Sequence, residues 1–234
     1  MPRTITISIL VSLAIGACAY IGLLPLLATL LLPGLILGLL IAIWRLQWIQ
    51  WAFTKYQIRK RFFDQVSRLG GFVEDEVIEN HVIGIGQKIT LAAGKRVNSI
   101  DFFVVNDERI HAFAFPPNIV AISKGMYEDF RNDDEMASVL AHEVGHIVMN
   151  SHGGWITMSL EQSRVDEYTA DQLAIEFSKK AGYEPKAYGR YHWRIMGYGY
   201  RAGQSISKDD SSSTHPSYLK RITRLNEIQP VGNV

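Results

Sequence analysis

Two histidines four residues apart, His142 and His146, with Glu143 directly after the first, sit inside "VLAHEVGHIV" (Val139–Val148). On a helix, positions i and i+4 share a face, so both imidazoles can reach one cation. Glu143 lies about 100° around the helix from His142, near enough to hold a water beside that cation and take its proton. Zinc suits a histidine and carboxylate donor set that keeps an open position. The competing reading is an ordinary helix carrying chance polar residues. Against it, three polar side chains set within "SVLA", "VG" and "IVM" would be costly to bury unpaired.

Such a site needs a third ligand from a second helix. "RVDEYTADQLAIEF" (Arg164–Phe177) carries Glu167 and Asp171 at i and i+4, with Ala170 and Ala174 small enough for close helix approach. Glu167 would ligate the metal. Asp171 would accept the other ring N–H of a ligating histidine and so fix its tautomer. Glu161, Asp166 and Asp171 itself compete for the ligand role. A solvated helical face, with Lys179 and Lys180 nearby, is the plain alternative.

The elements that must position these residues follow from capping and period. Asn132 can cap a helix over residues 133–150, with Glu135 three residues on and Asp133 and Asp134 at the positive end of the dipole. Further helices are expected over 74–92, 158–181, 185–196 and 216–228. "SIDFFVVN" (Ser99–Asn106), "HAFAF" (His111–Phe115) and "NIVAIS" (Asn118–Ser123) read as three short strands. The charged "DER" between the first two reads as a turn, which predicts a small antiparallel sheet. Strands followed by helices predict an α+β domain, not a parallel βαβ sheet.

The N-terminal region differs in kind. From Thr4 to Trp44 no charged residue occurs, and one helix of that length would measure roughly 60 Å, about twice a ~30 Å hydrocarbon core. Two transmembrane spans at about 4–23 and 29–49, broken at Pro25 or at Pro33–Gly34, are therefore expected, anchoring the chain in the lipid bilayer. Residues 1–50 would form the anchor, 51–73 a connecting amphipathic helix, and 74–234 the catalytic domain. Trp44, Trp48 and Trp51 suit the interface. Arg3, Arg45, Lys55, Arg59, Lys60 and Arg61 flank the apolar run, which predicts a cytoplasmic catalytic domain on a bacterial-type inner membrane. "IGAC" (Ile15–Cys18) resembles a lipoprotein cleavage box, but the unbroken apolar run after Cys18 is at odds with cleavage there.

Composition excludes several classes. The 234 residues carry a formal net charge of +1, without the basic excess of a nucleic-acid-binding surface. The single cysteine, Cys18, excludes an internal disulfide and a cysteine-rich metal cage. "GIG" (Gly84–Gly86) lacks a third glycine and "AAGK" (Ala92–Lys95) lacks a P-loop's upstream glycine.

"HEVGH" followed by "EYTAD", "AGYEP" (Ala181–Pro185) and "THPSYLKRITRL" (Thr214–Leu225), with "AFAFPPNIVAISKGM" (Ala112–Met126) upstream, resembles the HtpX/CaaX-protease type of membrane zinc metallopeptidase. The resemblance covers roughly residues 75–228. It implies a zincin-like fold and a gluzincin endopeptidase holding one zinc ion through His142, His146 and Glu167. Glu143 would be the general base and Asp171 the support of a ligand histidine. It further implies that His111, Ala112, Phe113 and Ala114 form an edge strand on which a polypeptide substrate lies by β-augmentation. Here His111 replaces the family's usual asparagine. His215, in "HP", would stabilise the oxyanion, or else serve only to enter the last helix before Pro216. Arg221 and Arg224 match basic positions for which a structural salt bridge is expected. HtpX carries a second pair of membrane segments between HExxH and the glutamate, whereas "MNSHGGWITMSLEQSR" (Met149–Arg164) is too short and polar for one. The expected reaction is peptide-bond hydrolysis, in membrane protein quality control or processing. A non-cleaving, zinc-containing chaperone or adaptor is the competing function.

Overall fold

The computed structural model describes residues 2–68, 70–115, 117–149, 160–201 and 217–228. They form α1 (Pro2–Arg68), α2 (Glu76–Ala92), β1 (Asp101–Val105), β2 (Ala112–Phe115), β3 (Ile119–Ser123), α3 (Lys124–Asp129), α4 (Asp133–Met149), α5 (Leu160–Lys180), α6 (Ala187–Arg201) and α7 (Tyr218–Ile228). The chain divides into two compact units, Met1–Tyr56 and Gln57–Val234.

The first unit is helical throughout. Where two spans and a turn are expected, α1 runs without a break through Pro25 and Pro33–Gly34. Proline's fixed φ near −65° is compatible with a helix, so each proline removes one hydrogen bond without forcing a reversal. Leu32–Arg68 is the stretch of the described residues long and apolar enough to cross a membrane.

The second unit is the expected α+β domain, with one correction. The sheet is mixed, in the order β1-β3-β2, with β1 parallel to β3 and β2 antiparallel to it. The charged segment after β1 is not a hairpin turn. It crosses the end of β3, where His111 N–H donates to Ser123 Oγ at 3.1 Å, Ser123 Oγ donates to the Arg109 carbonyl, and Gly125 N–H donates to the Asp107 carbonyl at 3.0 Å. A Cβ on Gly125 would collide with the Glu108 carbonyl, so this crossing requires glycine. β3 takes the middle, with every residue buried. β2 is left as an edge strand.

Alternation along the strands then separates two cores. On one face, Phe115, Ile119, Ala121 and Val105 pack against Phe62 and Val66 of α1. On the other, Phe102, Val104, Ala114, Val120 and Ile122 join the apolar faces of α2 and α4. α4 is the central helix, buried on every residue from Glu135 to Ile147. Its start uses the expected cap: Glu135 N–H donates to Asn132 Oδ1 at 3.0 Å, and Glu135 Oε2 accepts from Arg131 N–H at 3.0 Å. The same carboxylate receives Arg194 of α6 at 2.6 and 2.8 Å, and Arg194 also reaches the Asp129 carboxylate at 2.9 Å.

Candidate metal centre

α4 and α5 lie close because their facing residues are small. Ala170 and Ala174 are completely buried, and a Cβ built on Gly145 would stand 3.4 Å from Ala170 Cα and from Leu173 Cβ. That distance is ordinary van der Waals contact, so Gly145→Ala should be tolerated. Gly145→Leu should cost ~1–3 kcal/mol by overpacking and spread the two helices. Thermal melts and metal analysis of the purified variants check both expectations.

This approach brings three donors together. His142 Nε2 and His146 Nε2 are 3.1 Å apart. Glu167 Oε2 lies 3.5 Å from the first and Glu167 Oε1 3.3 Å from the second. All three residues are buried, and their donor atoms lie within 4.8 Å of one another. Ligand atoms ~2.1 Å from a tetrahedral zinc ion stand about 3.4 Å from each other. The three residues therefore fit a metal ion in spacing as well as in chemistry. Glu143, also buried, follows His142 on the same helix.

Behind His142 lies a second polar layer. Its Nδ1 is 2.7 Å from Tyr188 Oη of α6 and 3.1 Å from Asp171 Oδ1. Tyr188 O–H donates to Asp171 Oδ1 at 2.6 Å. Arg221 of α7 donates to Asp171 Oδ2 at 3.0 Å through Nε, and through Nη2 to Asp171 Oδ1 at 2.5 Å and Tyr188 Oη at 2.8 Å. Its Nη1 lies 3.3 Å from Glu167 Oε2. One guanidinium thus joins α5, α6 and α7 beneath the donors.

The charges respond to this packing. Burial disfavours the His142 imidazolium, but the Asp171 and Glu167 carboxylates outweigh it and push the ring up to about 9. Burial also works against the Asp171 carboxylate. The Arg221 charge and the bonds from His142 and Arg221 more than offset it, holding Asp171 well below the ordinary carboxylate range. Next to this layer, burial and the Arg221 charge push His192 down to about 3, leaving a neutral ring against Tyr188, 4.2 Å between centroids.

The other expected residues are placed unevenly. Asp166 is paired with Gln162 at 2.9 Å, away from the donors. Ala112, Phe113 and Ala114 lie on the edge strand β2, and Ala114 packs in the core that contains α4. The His111 ring is 3.1 Å from Asp107 Oδ2 and stacks on Phe113. His215 and the side chain of Glu161 lie outside the described residues. Tyr188 was not singled out by the sequence. An aromatic residue on an amphipathic helix reads as core, and nothing in the pattern reveals where its hydroxyl points.

Comparison with known proteins identifies the family. The model of peptidase family M48 matches residues 79–159 and 153–229. The beta-barrel assembly-enhancing protease of Escherichia coli (strain K12) is 27% identical over 203 residues, covering 68% of this chain and 41% of its own length. The mitochondrial metalloendopeptidase OMA1 of Arabidopsis thaliana is 25% identical over 181 residues, 63% of this chain and 36% of its own. Protease HtpX of Cellvibrio japonicus is 28% identical over 117 residues, 49% of this chain and 37% of its own. The chain thus spans well under half the length of these curated relatives. Two stacked helices that converge histidines and a glutamate, in a sequence this family's model matches over most of the domain, lead to one assignment: the chain belongs to peptidase family M48.

Proposed function

We propose that the chain is a membrane-anchored zinc endopeptidase whose metal ligands are His142, His146 and Glu167. The observation that carries this reading is the convergence of three buried donors: the two Nε2 atoms are 3.1 Å apart and the Glu167 carboxylate reaches each with a different oxygen, at 3.3 and 3.5 Å, near the spacing of ligands around one tetrahedral ion. A zinc ion held there supplies Lewis acidity, toward the scissile carbonyl and toward the attacking water. Glu143 takes the proton from that water and delivers it to the leaving amine. Asp171 keeps His142 oriented from behind. The β2 edge would receive an extended polypeptide beside Ala112, Phe113 and Ala114, while His111, at its start, already bonds Ser123 through both its N–H and its carbonyl. The His111 ring is engaged with Asp107 at 3.1 Å. His215 would stabilise the oxyanion from the loop before α7.

The apolar stretch of α1 supports anchorage in a bilayer, and so does the similarity to protease HtpX. Arg45, Lys55, Arg59, Lys60 and Arg61 follow that stretch and favour a cytoplasmic catalytic domain. Polypeptides at or in that membrane are the substrates this placement favours, in quality control or processing. The test is metal analysis of the full chain purified in detergent, alongside degradation of an unfolded protein such as casein. One zinc per chain and cleavage abolished by a chelator are expected. A chain with no zinc, or cleavage indifferent to chelation, would overturn the reading.

A further inference from the structure

We infer that Tyr188 is a positioning residue for the metal site, and that its hydroxyl, ahead of the Asp171 carboxylate, is the immediate acceptor of the His142 ring N–H. The inference rests on His142 being a metal ligand. Its support is an accounting of hydrogens around three polar groups. Asp171 lies against Arg221 and accepts only. Tyr188 O–H, 2.6 Å away, therefore donates to it. That leaves the two lone pairs of Tyr188 Oη. Arg221 Nη2 donates to one at 2.8 Å. The other faces His142 Nδ1 at 2.7 Å, shorter than the 3.1 Å from the same nitrogen to Asp171 Oδ1. His142 Nδ1 must then carry a proton, and Nε2 is the nitrogen left to offer its lone pair to a metal ion beside His146 and Glu167.

The ring is fixed in angle as well as tautomer. Tyr188 is 1% exposed and nearly stacks on His142, with centroids 5.7 Å apart and planes at 24°. His192 also packs against the phenol, with centroids 4.2 Å apart, and its ring nitrogen bonds the Tyr188 carbonyl at 3.1 Å. A phenol that accepts from arginine and donates to a carboxylate is strongly polarised yet carries no net charge. It holds the ligand histidine at a shorter distance than the Asp171 carboxylate does, 2.7 against 3.1 Å. Asp171 then acts on His142 mainly through Tyr188.

Tyr188→Phe keeps the ring and its packing and removes only the hydroxyl. In the full chain in detergent, zinc affinity measured by chelator competition should fall on the order of 10-fold, the usual scale for losing a partner of a ligand histidine. The absorption spectrum of the cobalt-substituted protein should shift, since ligand orientation changes. If Asp171 is instead the direct partner, Tyr188→Phe leaves zinc affinity and the cobalt spectrum as in the wild type while Asp171→Asn alters both, and the inference is overturned. A purely structural role would lower the melting temperature of the metal-free protein without moving either metal readout, and also overturns it. A wild-type chain that binds neither zinc nor cobalt would instead remove His142 as a ligand, which is the failure of the underlying reading.

Discussion

Glu143→Gln should bind one zinc per chain and melt like the wild type, yet cleave polypeptide ~10²–10⁴-fold more slowly, the range that a positioned general base contributes. Glutamine matches glutamate in shape, so the buried position on α4 stays filled and the neighbouring histidines stay in place. On the proposed mechanism, what is lost is the ability to accept a proton from water and return it to the leaving amine. The comparison separates an enzyme from a zinc-containing chaperone or adaptor, because only the enzyme needs that proton transfer. Substantial residual proteolysis in the variant would mean that another group is the base. Full metal content with no proteolysis would also make the variant a trap for identifying substrates in cells, by comparing membrane proteins that persist with it and disappear with the wild type.

Much of the catalytic domain was legible because its signals are periodic and local. Asn132 and Glu135 announced the start of α4, and the i, i+4 spacing of His142/His146 and of Glu167/Asp171 announced two facing helices. These four residues meet in the structure. Strand positions were also legible, since β-branched and aromatic runs bounded by Asp, Asn and Pro are local features. Strand order was not. β1 pairs with β3 because the charged link folds over Ser123 and Gly125, an arrangement set by backbone hydrogen bonds between residues 12 to 18 apart in sequence. The layer behind His142 was illegible for the same kind of reason. Tyr188 and Arg221 come from α6 and α7, and their meeting with Asp171 depends on how three helices pack. Sequence offered Arg221 only as a salt-bridge candidate without a partner. The N-terminal region shows the opposite: Pro25 and Pro33 are local breaker signals, yet α1 continues through both, since each removes one helical hydrogen bond.

Arg221→Leu should cost ~3–5 kcal/mol of stability, the scale for removing one partner from a buried ionic cluster. The side chain is 7% exposed and faces two carboxylates that are each 2% exposed, Asp171 and Glu167. With leucine in its place those carboxylates remain close together in an interior that cannot solvate them. The loss should be greatest after chelation, because a bound cation offsets the Glu167 charge while Asp171 stays uncompensated either way. Unfolding by denaturant in detergent, with and without chelator, measures both values. Arg221→Lys should fall between wild type and Arg221→Leu: it restores the charge, but an ammonium lacks the planar fork that reaches Asp171, Tyr188 and Glu167 at once. If Arg221→Leu unfolds within about 0.5 kcal/mol of the wild type, as ordinary surface substitutions do, the cluster is not what holds α7 to α4 and α5. A lysine variant as unstable as the leucine variant would instead locate the stabilisation in the fork's geometry and not in its charge.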